Sequence, residues 1–228
     1  MKTKITLLII VLSLSITSYS QLGIRGGINM ANEIRSFNKT ELQNAFQSNN
    51  LTGYQIGLVY QLNPIKSGLG FETGILLSQK GSTFKFDSTS VVKSFVKAYQ
   101  EINYIEVPLN FRYRINLIGF GIYGSAGIYG DYALNGKSVF DSQVITDIKT
   151  AKNFDDFASR LDYGYSLGCG IELLKKIQIG ATWSQGLRKK DADKSFTDKI
   201  TTSDGTQVPN LEVTTKSKAF TVSLTYLF

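Results

Sequence analysis

Apolar and polar residues alternate along most of the chain after residue 21, which is typical of strands with one apolar face. In the clearest segment the odd positions of 161–173 are all apolar, whereas the even positions are small or charged. The segment that begins at Ile105 repeats the pattern, with Glu106, Arg112 and Arg114 on its polar face. The strand candidates lack the spacing of three and four residues that an amphipathic helix requires. The chain is therefore predicted to be all-β.

Eight such segments occur, and each can cross a membrane as a tilted strand, which needs about 9 to 11 residues. They cover residues 22–30, 51–62, 68–81, 101–116, 119–134, 161–174, 177–187 and 218–228. The intervening connections alternate between short and long. The short ones are 63–67, 117–118 and 175–176, and the long ones are 32–50, 82–100, 135–160 and 188–217. Outer-membrane barrels join short periplasmic turns with long extracellular loops. We therefore expect an eight-stranded antiparallel transmembrane β-barrel with both termini in the periplasm.

Two details of this arrangement remain open from the pattern alone. The polar outside connections suggest surface recognition, and short helices at 44–46 and 94–99 are one possibility within them. Aromatic residues lie mostly near the ends of the predicted strands on their apolar face, as they do at a membrane interface. These are Tyr54, Tyr60, Tyr113, Phe120, Tyr132, Tyr163, Trp183, Phe220, Tyr226 and Phe228. The alternative interpretation is that they are core aromatics of a soluble β-sandwich.

The first twenty residues have the features of an export signal. Lys2 and Lys4 precede an apolar run at 5–16, and Ser18 and Ser20 place small residues where signal peptidase reads the chain. The run is too short to cross a bilayer as a helix, which takes about 20 residues. We therefore expect residues 1–20 to be a cleaved signal peptide and residues 21–228 to form the outer-membrane β-barrel domain.

Composition excludes several classes of function. The chain contains no histidine, and the absence removes the commonest general base and metal ligand together with every Ser-His or Cys-His pair. With a single cysteine, Cys169, it has neither an intramolecular disulfide nor a cysteine-rich zinc site. The net charge of +7 comes from lysines and arginines that are interspersed with acids, so nucleic acid is not an expected partner. No catalytic residue, cofactor or metal site is predicted.

Two short motifs imitate catalytic signatures. Residues 119–124 spell the G-x-G-x-x-G of dinucleotide-binding folds, but strand alternation continues after them where a helix is required. We interpret Gly119 and Gly121 as inward residues of a narrow barrel. Residues 164–168 spell G-x-S-x-G, whose serine needs a histidine base at a strand-to-helix turn. Ser166 is instead predicted to point inward from the middle of a strand, and Cys169 to point outward to lipid.

Three stretches carry a resemblance to a known family. They are Tyr-Ile-Glu-Val-Pro-Leu at 104–109, Asp-Tyr-Gly at 162–164 followed by Gly-Cys-Gly-Ile-Glu at 168–172, and the final Tyr-Leu-Phe at 226–228. Together they resemble the small outer-membrane β-barrels of Bacteroidetes, the PorT-like family. The resemblance implies an eight-stranded barrel whose last strand is read by the barrel-assembly machinery. The residues that match this assembly signal are Phe220, Val222, Leu224, Tyr226 and Phe228.

The inward faces of the predicted strands carry both signs of charge. The cations are Arg25, Lys80, Arg112 and Arg114, and the acids are Glu72, Glu106, Asp131, Asp162 and Glu172. Strand direction predicts a cluster of Arg25, Glu72, Arg112, Arg114 and Glu172 near the periplasmic end, with the other residues further out. Eight strands enclose a space that side chains just fill, so these charges are expected to pair. The alternative is a polar conduit or a ligand pocket at the barrel mouth.

The sequence thus favours a non-enzymatic outer-membrane protein with a structural, surface-binding or export-accessory role. The expected partners are outer-membrane lipid, the barrel-assembly machinery during biogenesis, and an extracellular or envelope protein of unknown identity. A small-solute porin or transport protein is the first alternative. A membrane-embedded enzyme and a soluble periplasmic lipid-binding barrel are the others.

Overall fold

The computed structural model of the chain describes residues 20–37, 46–63, 68–86, 96–142, 146–151, 160–188, 190–191 and 213–228. These residues form ten strands. Their bounds are β1 Ser20–Phe37, β2 Phe46–Leu62, β3 Leu69–Phe86, β4 Val96–Asn116, β5 Phe120–Ser142, β6 Thr146–Ala151, β7 Leu161–Leu173, β8 Ile177–Gly186, β9 Lys190–Asp191 and β10 Val213–Leu227. None of the described residues lies in a helix that could cross a membrane. The predicted signal peptide, residues 1–20, lies outside the described residues except for Ser20.

Eight of the strands close into an antiparallel barrel. Their order is β1-β2-β3-β4-β5-β7-β8-β10, and β10 returns to pair with β1 from Gly23↔Leu227 to Phe37↔Val213. The two remaining strands lie outside this circle, since β6 pairs with β5 and β9 pairs with β10. The predicted eight-stranded antiparallel barrel is therefore confirmed.

The barrel is apolar outside and polar inside. Outward residues such as Ile75, Ile128 and Leu224 are 65%, 59% and 57% exposed, whereas inward residues such as Asn29 and Gln178 are fully buried. A water-soluble barrel of this size would place these two sets the other way round, because apolar surface is buried where water is the solvent. We call the outward band of aliphatic and aromatic side chains on the eight barrel strands the apolar belt.

The strands extend far beyond the bounds that alternation predicted. Parts of the expected loops 32–50, 82–100, 135–160 and 188–217 are strand: β1 continues to Phe37, β3 to Phe86, β5 to Ser142, and β6 and β9 are additional. Phe46 and residues 96–99, where short helices were one possibility, are also strand, so that expectation is wrong for these described residues. Backbone pairing therefore continues beyond the residues whose alternation set the predicted bounds.

Above the apolar belt the strands form an open sheet. It comprises 46–50 of β2, 82–86 of β3, 96–100 of β4, 136–142 of β5 and all of β6, each paired with the next. We call it the protruding sheet. The backbone pairing of β1 with β2 ends at Ala31↔Leu51, although Ser48 of β2 still donates to the carbonyl oxygen of Glu33 and accepts from the amide of Asn32. Among the described residues, β2 therefore forms one edge of this sheet and β6 the other. With 21 residues, β4 rises about 50 Å at a tilt near 45°, roughly twice the ~25 Å apolar band of such barrels.

The opposite end of the barrel has tight turns. Gly119 precedes β5 with φ of +87°, a conformation that costs glycine little, and it lies in the turn where we had expected an inward strand residue. Gly121 does point inward and is buried. Between β7 and β8, Leu174 and Lys175 adopt φ of 52° and 58°. Two consecutive left-handed residues match the twist of the flanking strands, which explains so short a connection.

Candidate functional site in the barrel lumen

The lumen near the turn end holds a carboxylate between two arginines. Glu72 of β3 accepts two hydrogen bonds from Arg25 of β1, at 2.9 and 2.8 Å, and one from Nη1 of Arg112 on β4, at 2.7 Å. Glu72 is 3% exposed and Arg112 4%. The guanidinium of Arg112 also lies over the ring of Tyr123, 4.0 Å from its centroid. A carboxylate this deeply buried is stabilised only because both arginines compensate its charge.

Two glutamines join this pair to a second one. Gln61 donates to Glu72 at 2.8 Å and to the side-chain oxygen of Gln178 at 2.9 Å. Gln178 in turn donates to Glu172 at 2.7 Å, and Glu172 accepts from Arg114 at 2.8 Å. We call these residues, with Arg25 and Arg112, the inner layer. Sequence analysis missed both glutamines, because a neutral amide on an inward face carries no charge that would single it out.

Replacing Gln178 by alanine is expected to lower the free energy of unfolding by about 1 to 3 kcal/mol, because its carboxylate and amide partners remain buried without it. Gln178 is fully buried. Denaturant unfolding in detergent micelles measures the loss. The matched control is Gln185→Ala on the same strand, whose side chain is on the outer face and half-buried. An equal loss in the two variants would contradict the bridging role of Gln178.

A second charged cluster, the outer layer, lies further from the turns. Lys80 of β3 contacts Asp131 of β5 and Glu106 of β4, both at 2.7 Å. Its ammonium group also lies 4.7 Å from the centroid of the Tyr129 ring, and Gln55 donates to Glu106 at 3.0 Å. The three charged groups come from neighbouring strands, since Glu106↔Asp131 and Leu76↔Glu106 are in register.

Asp162, another of the predicted lumen residues, lies on β7. It is 3% exposed and accepts hydrogen bonds from Ser217 at 2.7 Å and from the backbone N–H of Tyr163 at 2.9 Å. The structure therefore places the predicted charges in two layers: Arg25, Glu72, Arg112, Arg114 and Glu172 in the inner one, and Lys80, Glu106 and Asp131 in the outer one. Asp162 lies beside the outer layer on β7.

The space between and above the layers is filled. Asn29 donates to Ser78 at 2.9 Å and accepts from Thr221 at 2.8 Å, so three strands are linked across the lumen. Beside Lys80, which is in register with Ile102, the residues Ile102, Tyr104 and Ala133 form a buried apolar cluster. The cavity beside Lys80 and Asp162 has a volume of about 10 Å³, and a single water needs roughly 10 to 15 Å³. Side chains of the described residues therefore fill this part of the lumen.

The residues of the two motifs that resemble catalytic signatures have structural roles in the barrel. Ser166 points into the lumen, is 6% exposed and donates to Asn110 at 3.0 Å. Gly119 and Gly121 belong to the turn and the first residues of β5, and a strand follows them. Cys169 is exposed on the outer face. Among the described side chains, no group of three or more His, Cys, Asp or Glu residues is arranged to hold a metal ion.

The last strand presents its aromatic and aliphatic residues outward. The exposed fractions of Phe220, Val222, Leu224, Tyr226 and Phe228 are 42%, 43%, 57%, 46% and 60%. The same strand pairs with β1 on one side and β8 on the other. The backbone N–H of Phe228 also donates to the carbonyl oxygen of Leu22 at 2.8 Å, which extends closure to the final residue of the sequence.

Comparison with known families and structures gives one family match. The family described as "Outer membrane protein beta-barrel domain" matches residues 13–191, which is most of the chain. No curated protein matches the chain.

Solved structures of outer-membrane barrels are also similar over most of their length. Ail, the attachment invasion locus protein of Yersinia pestis, is 13% identical with a TM-score of 0.38, covering 92% of this chain and 99% of its own. OprG from Pseudomonas aeruginosa is 12% identical with a TM-score of 0.42, covering 92% and 96%. The outer membrane enzyme PagL is 10% identical with a TM-score of 0.33, covering 87% and 97%.

Proposed function

Because the chain belongs to the outer membrane protein β-barrel domain family, we propose that it is a closed, non-enzymatic barrel that displays the protruding sheet for binding another protein at the cell surface. It is a β-barrel protein of the bacterial outer membrane. The observation that carries the proposal is a sheet whose edges, among the residues that the structure describes, are 46–50 and 146–151, on top of a lumen that side chains fill. Residues 46–50 contact β1 only through Ser48 in the described hydrogen bonds.

The edges of the protruding sheet are the reason for preferring a binding role. An unpaired strand edge presents backbone N–H and C=O groups that an extended segment of another protein can pair with. Natural sheets normally cover or shorten such edges when they have no partner. Here strands much longer than a membrane needs carry the edges away from the bilayer, which supports a partner outside the cell as the occupant.

The closed lumen supports a role other than transport. Eight-stranded barrels enclose only enough space for their own side chains, and here two charged layers and an apolar cluster occupy it. The purified chain in planar lipid bilayers is expected to give no stepwise conductance above that of the same bilayer without protein. Discrete steps would contradict the closed lumen and favour the small-solute porin.

Cross-linking in native outer membranes tests the binding role. We expect gentle cross-linking followed by purification of the full chain to recover a protein of defined mass. In one variant residues 139–158 are replaced by a Gly/Ser linker of equal length, which removes β6 and the end of β5. In the matched control the same linker replaces residues 192–211. The cross-linked protein should be absent for the first variant and present for the second. Heat-modifiable gel mobility checks that both variants form folded barrels. Retention in the first variant, or no cross-linked protein at all, would overturn the proposal.

We also propose that residues 1–20 direct export and that both termini lie in the periplasm, which the three short turns at the end near the termini support. Protease added to intact cells is then expected to cut first within 188–217, a segment that is largely outside the described residues. The exposed turn residues Lys175 and Lys176 should be resistant. Early cleavage at Lys175 would mean that the orientation is inverted.

The finer assignment to the PorT-like barrels of Bacteroidetes rests on the three sequence stretches that resemble them. The outward aromatic pattern of β10 supports recognition of Phe220 to Phe228 by the barrel-assembly machinery. Since assembly machinery handles many barrels, this role concerns biogenesis and is compatible with the binding function.

A further inference from the structure

The strand β6 forms the open edge of the protruding sheet. It pairs with β5 along its whole length, and no strand among the described residues lies on its other side. The edge at 46–50 differs, because Ser48 forms hydrogen bonds with Asn32 and Glu33 of β1. The backbone N–H and C=O groups on the outer side of β6 are therefore the ones that a further strand can pair with.

The sequence of β6 is complementary to itself. It reads Thr-Asp-Ile-Lys-Thr-Ala, so Asp147 and Lys149 carry opposite charges on either side of Ile148. Thr146 and Thr150 follow outside them. Reversing the strand about Ile148 exchanges each charge for the opposite one and each threonine for the other. Charged residues on an edge strand normally hinder pairing, whereas this order of charges permits pairing with a reversed copy of the same strand.

Only one symmetric register satisfies these charges. Two identical antiparallel strands pair symmetrically where a residue lies opposite its own copy, because the two-fold axis of the ladder passes between directly opposed residues. With Ile148 opposite itself, Asp147 lies opposite Lys149 twice and Thr146 opposite Thr150 twice. Such opposite-charge and threonine pairs stabilise neighbouring strands, and like charges directly opposite each other destabilise them. Pairing centred on Asp147 or on Lys149 would place like charges opposite each other.

The orientation of the second copy follows from the same symmetry. The two-fold axis is perpendicular to the plane of the paired strands. Since the protruding sheet continues the barrel wall upward, this axis lies parallel to the membrane. The two barrels then point in opposite directions, and they cannot share one bilayer. The second copy therefore belongs to a facing membrane.

The height of β6 is compatible with two facing membranes. Val139, which is in register with Ile148, follows the outward residue Tyr132 by seven positions on β5. At about 3.4 Å per residue and a tilt near 45°, these positions rise roughly 17 Å. Pairing about Ile148 thus holds the tops of the two apolar belts roughly 35 Å apart, which leaves room for both headgroup layers.

We propose that the partner at β6 is a second copy of this chain in the outer membrane of a neighbouring cell, paired antiparallel about Ile148. The inference rests on the binding role proposed above and names its partner. An edge of six residues forms only a few backbone hydrogen bonds, so a single contact is weak. Many copies on two facing membranes act together, because each contact raises the effective concentration of the next.

Vesicle aggregation tests the register. The full chain is reconstituted in phosphatidylcholine vesicles, and aggregation is followed by light scattering. Vesicles with the native chain should aggregate. Asp147→Lys leaves two lysines on β6 and Lys149→Asp leaves two aspartates, so vesicles of either variant alone should aggregate about tenfold more slowly or less. A mixture of the two vesicle types should aggregate again, because each variant supplies the charges that the other lacks.

Two further variants serve as controls. The double reversal, Asp147→Lys with Lys149→Asp, keeps β6 complementary to itself and should aggregate like the native chain. Asp191→Lys makes the same change of charge on β9 and should also leave aggregation unchanged. Heat-modifiable gel mobility checks that every variant is a folded barrel.

The inference is overturned if vesicles with the native chain stay dispersed, if either single reversal aggregates at the native rate, or if the mixture stays dispersed. Equal slowing by Asp191→Lys would overturn it as well. The binding role is tested separately by cross-linking in native membranes. Recovery of a different protein there would keep that role and reject the second copy, whereas recovery of no protein would reject both.

Discussion

Replacing Glu72 by alanine is expected to lower the free energy of unfolding by roughly 3 to 5 kcal/mol. The substitution leaves Arg25 and Arg112 facing each other without the carboxylate that both now contact, at 2.8 and 2.7 Å. Since Glu72 is 3% exposed, water cannot replace it without opening the inner layer. Urea unfolding in lipid vesicles, followed by tryptophan fluorescence, measures the loss.

A double substitution separates this pairing from a general packing defect. Glu72→Ala with Arg112→Ala removes one of the two uncompensated cations, so part of the stability should return. Strict additivity of the two single effects would show that the residues do not interact. Glu101→Ala is the control, because this half-buried glutamate is on the outer face above the belt and its loss should cost less than about 1 kcal/mol.

The second large effect is expected on the outer face. Leu167→Arg should cost about 2 to 4 kcal/mol in a bilayer, because Leu167 is near the middle of β7 and would carry a charge into the hydrocarbon. The side chain is 51% exposed. On a water-soluble barrel the same change at an exposed position would be nearly neutral, within about 0.5 kcal/mol.

Asn103→Arg provides the comparison for this prediction. Asn103 is on the outer face of β4 above the apolar belt, where an arginine reaches water and should cost less than about 1 kcal/mol. Both variants are unfolded in the same lipid vesicles. Equal stabilities for the two would mean that the belt does not face lipid.

The membrane-spanning part of the fold was predictable because lipid and lumen impose opposite chemistry on alternate residues. Every barrel strand therefore carried the period of two, and the short turns fixed their order. Above the belt no face of a strand contacts lipid, so the contrast between a lipid face and a lumen face no longer applies. Residues 96–100 and 136–142 were therefore interpreted as loops although their backbones pair. Only the partner strand, which single-sequence alternation cannot identify, reveals such pairing.

Alternation also predicted which charges point inward, but not every contact between them. The predicted depth of each residue along its strand placed Glu72 together with Arg25 and Arg112. The hydrogen bond of Gln178 to Gln61 depends instead on how far β8 is shifted along the barrel relative to β2. No local sequence pattern encodes that shift. A register shift near Asn103 and Tyr104 leaves Tyr104 opposite Ala133. The resulting apolar cluster beside Lys80 therefore has no signature in the charge pattern.

Closure of the barrel has a consequence for the order of assembly. The partners Gly23 and Leu227 come from the first and last strands, so this seam is the most non-local pairing among the described strands and the slowest to find. Until it forms, β1 and β10 each leave a row of backbone donors and acceptors facing hydrocarbon, where every unpaired group costs several kcal/mol. A nascent chain that inserted strand by strand would pass through such states. The geometry therefore favours a concerted pathway in which the last strand is held beside the first before either enters the lipid.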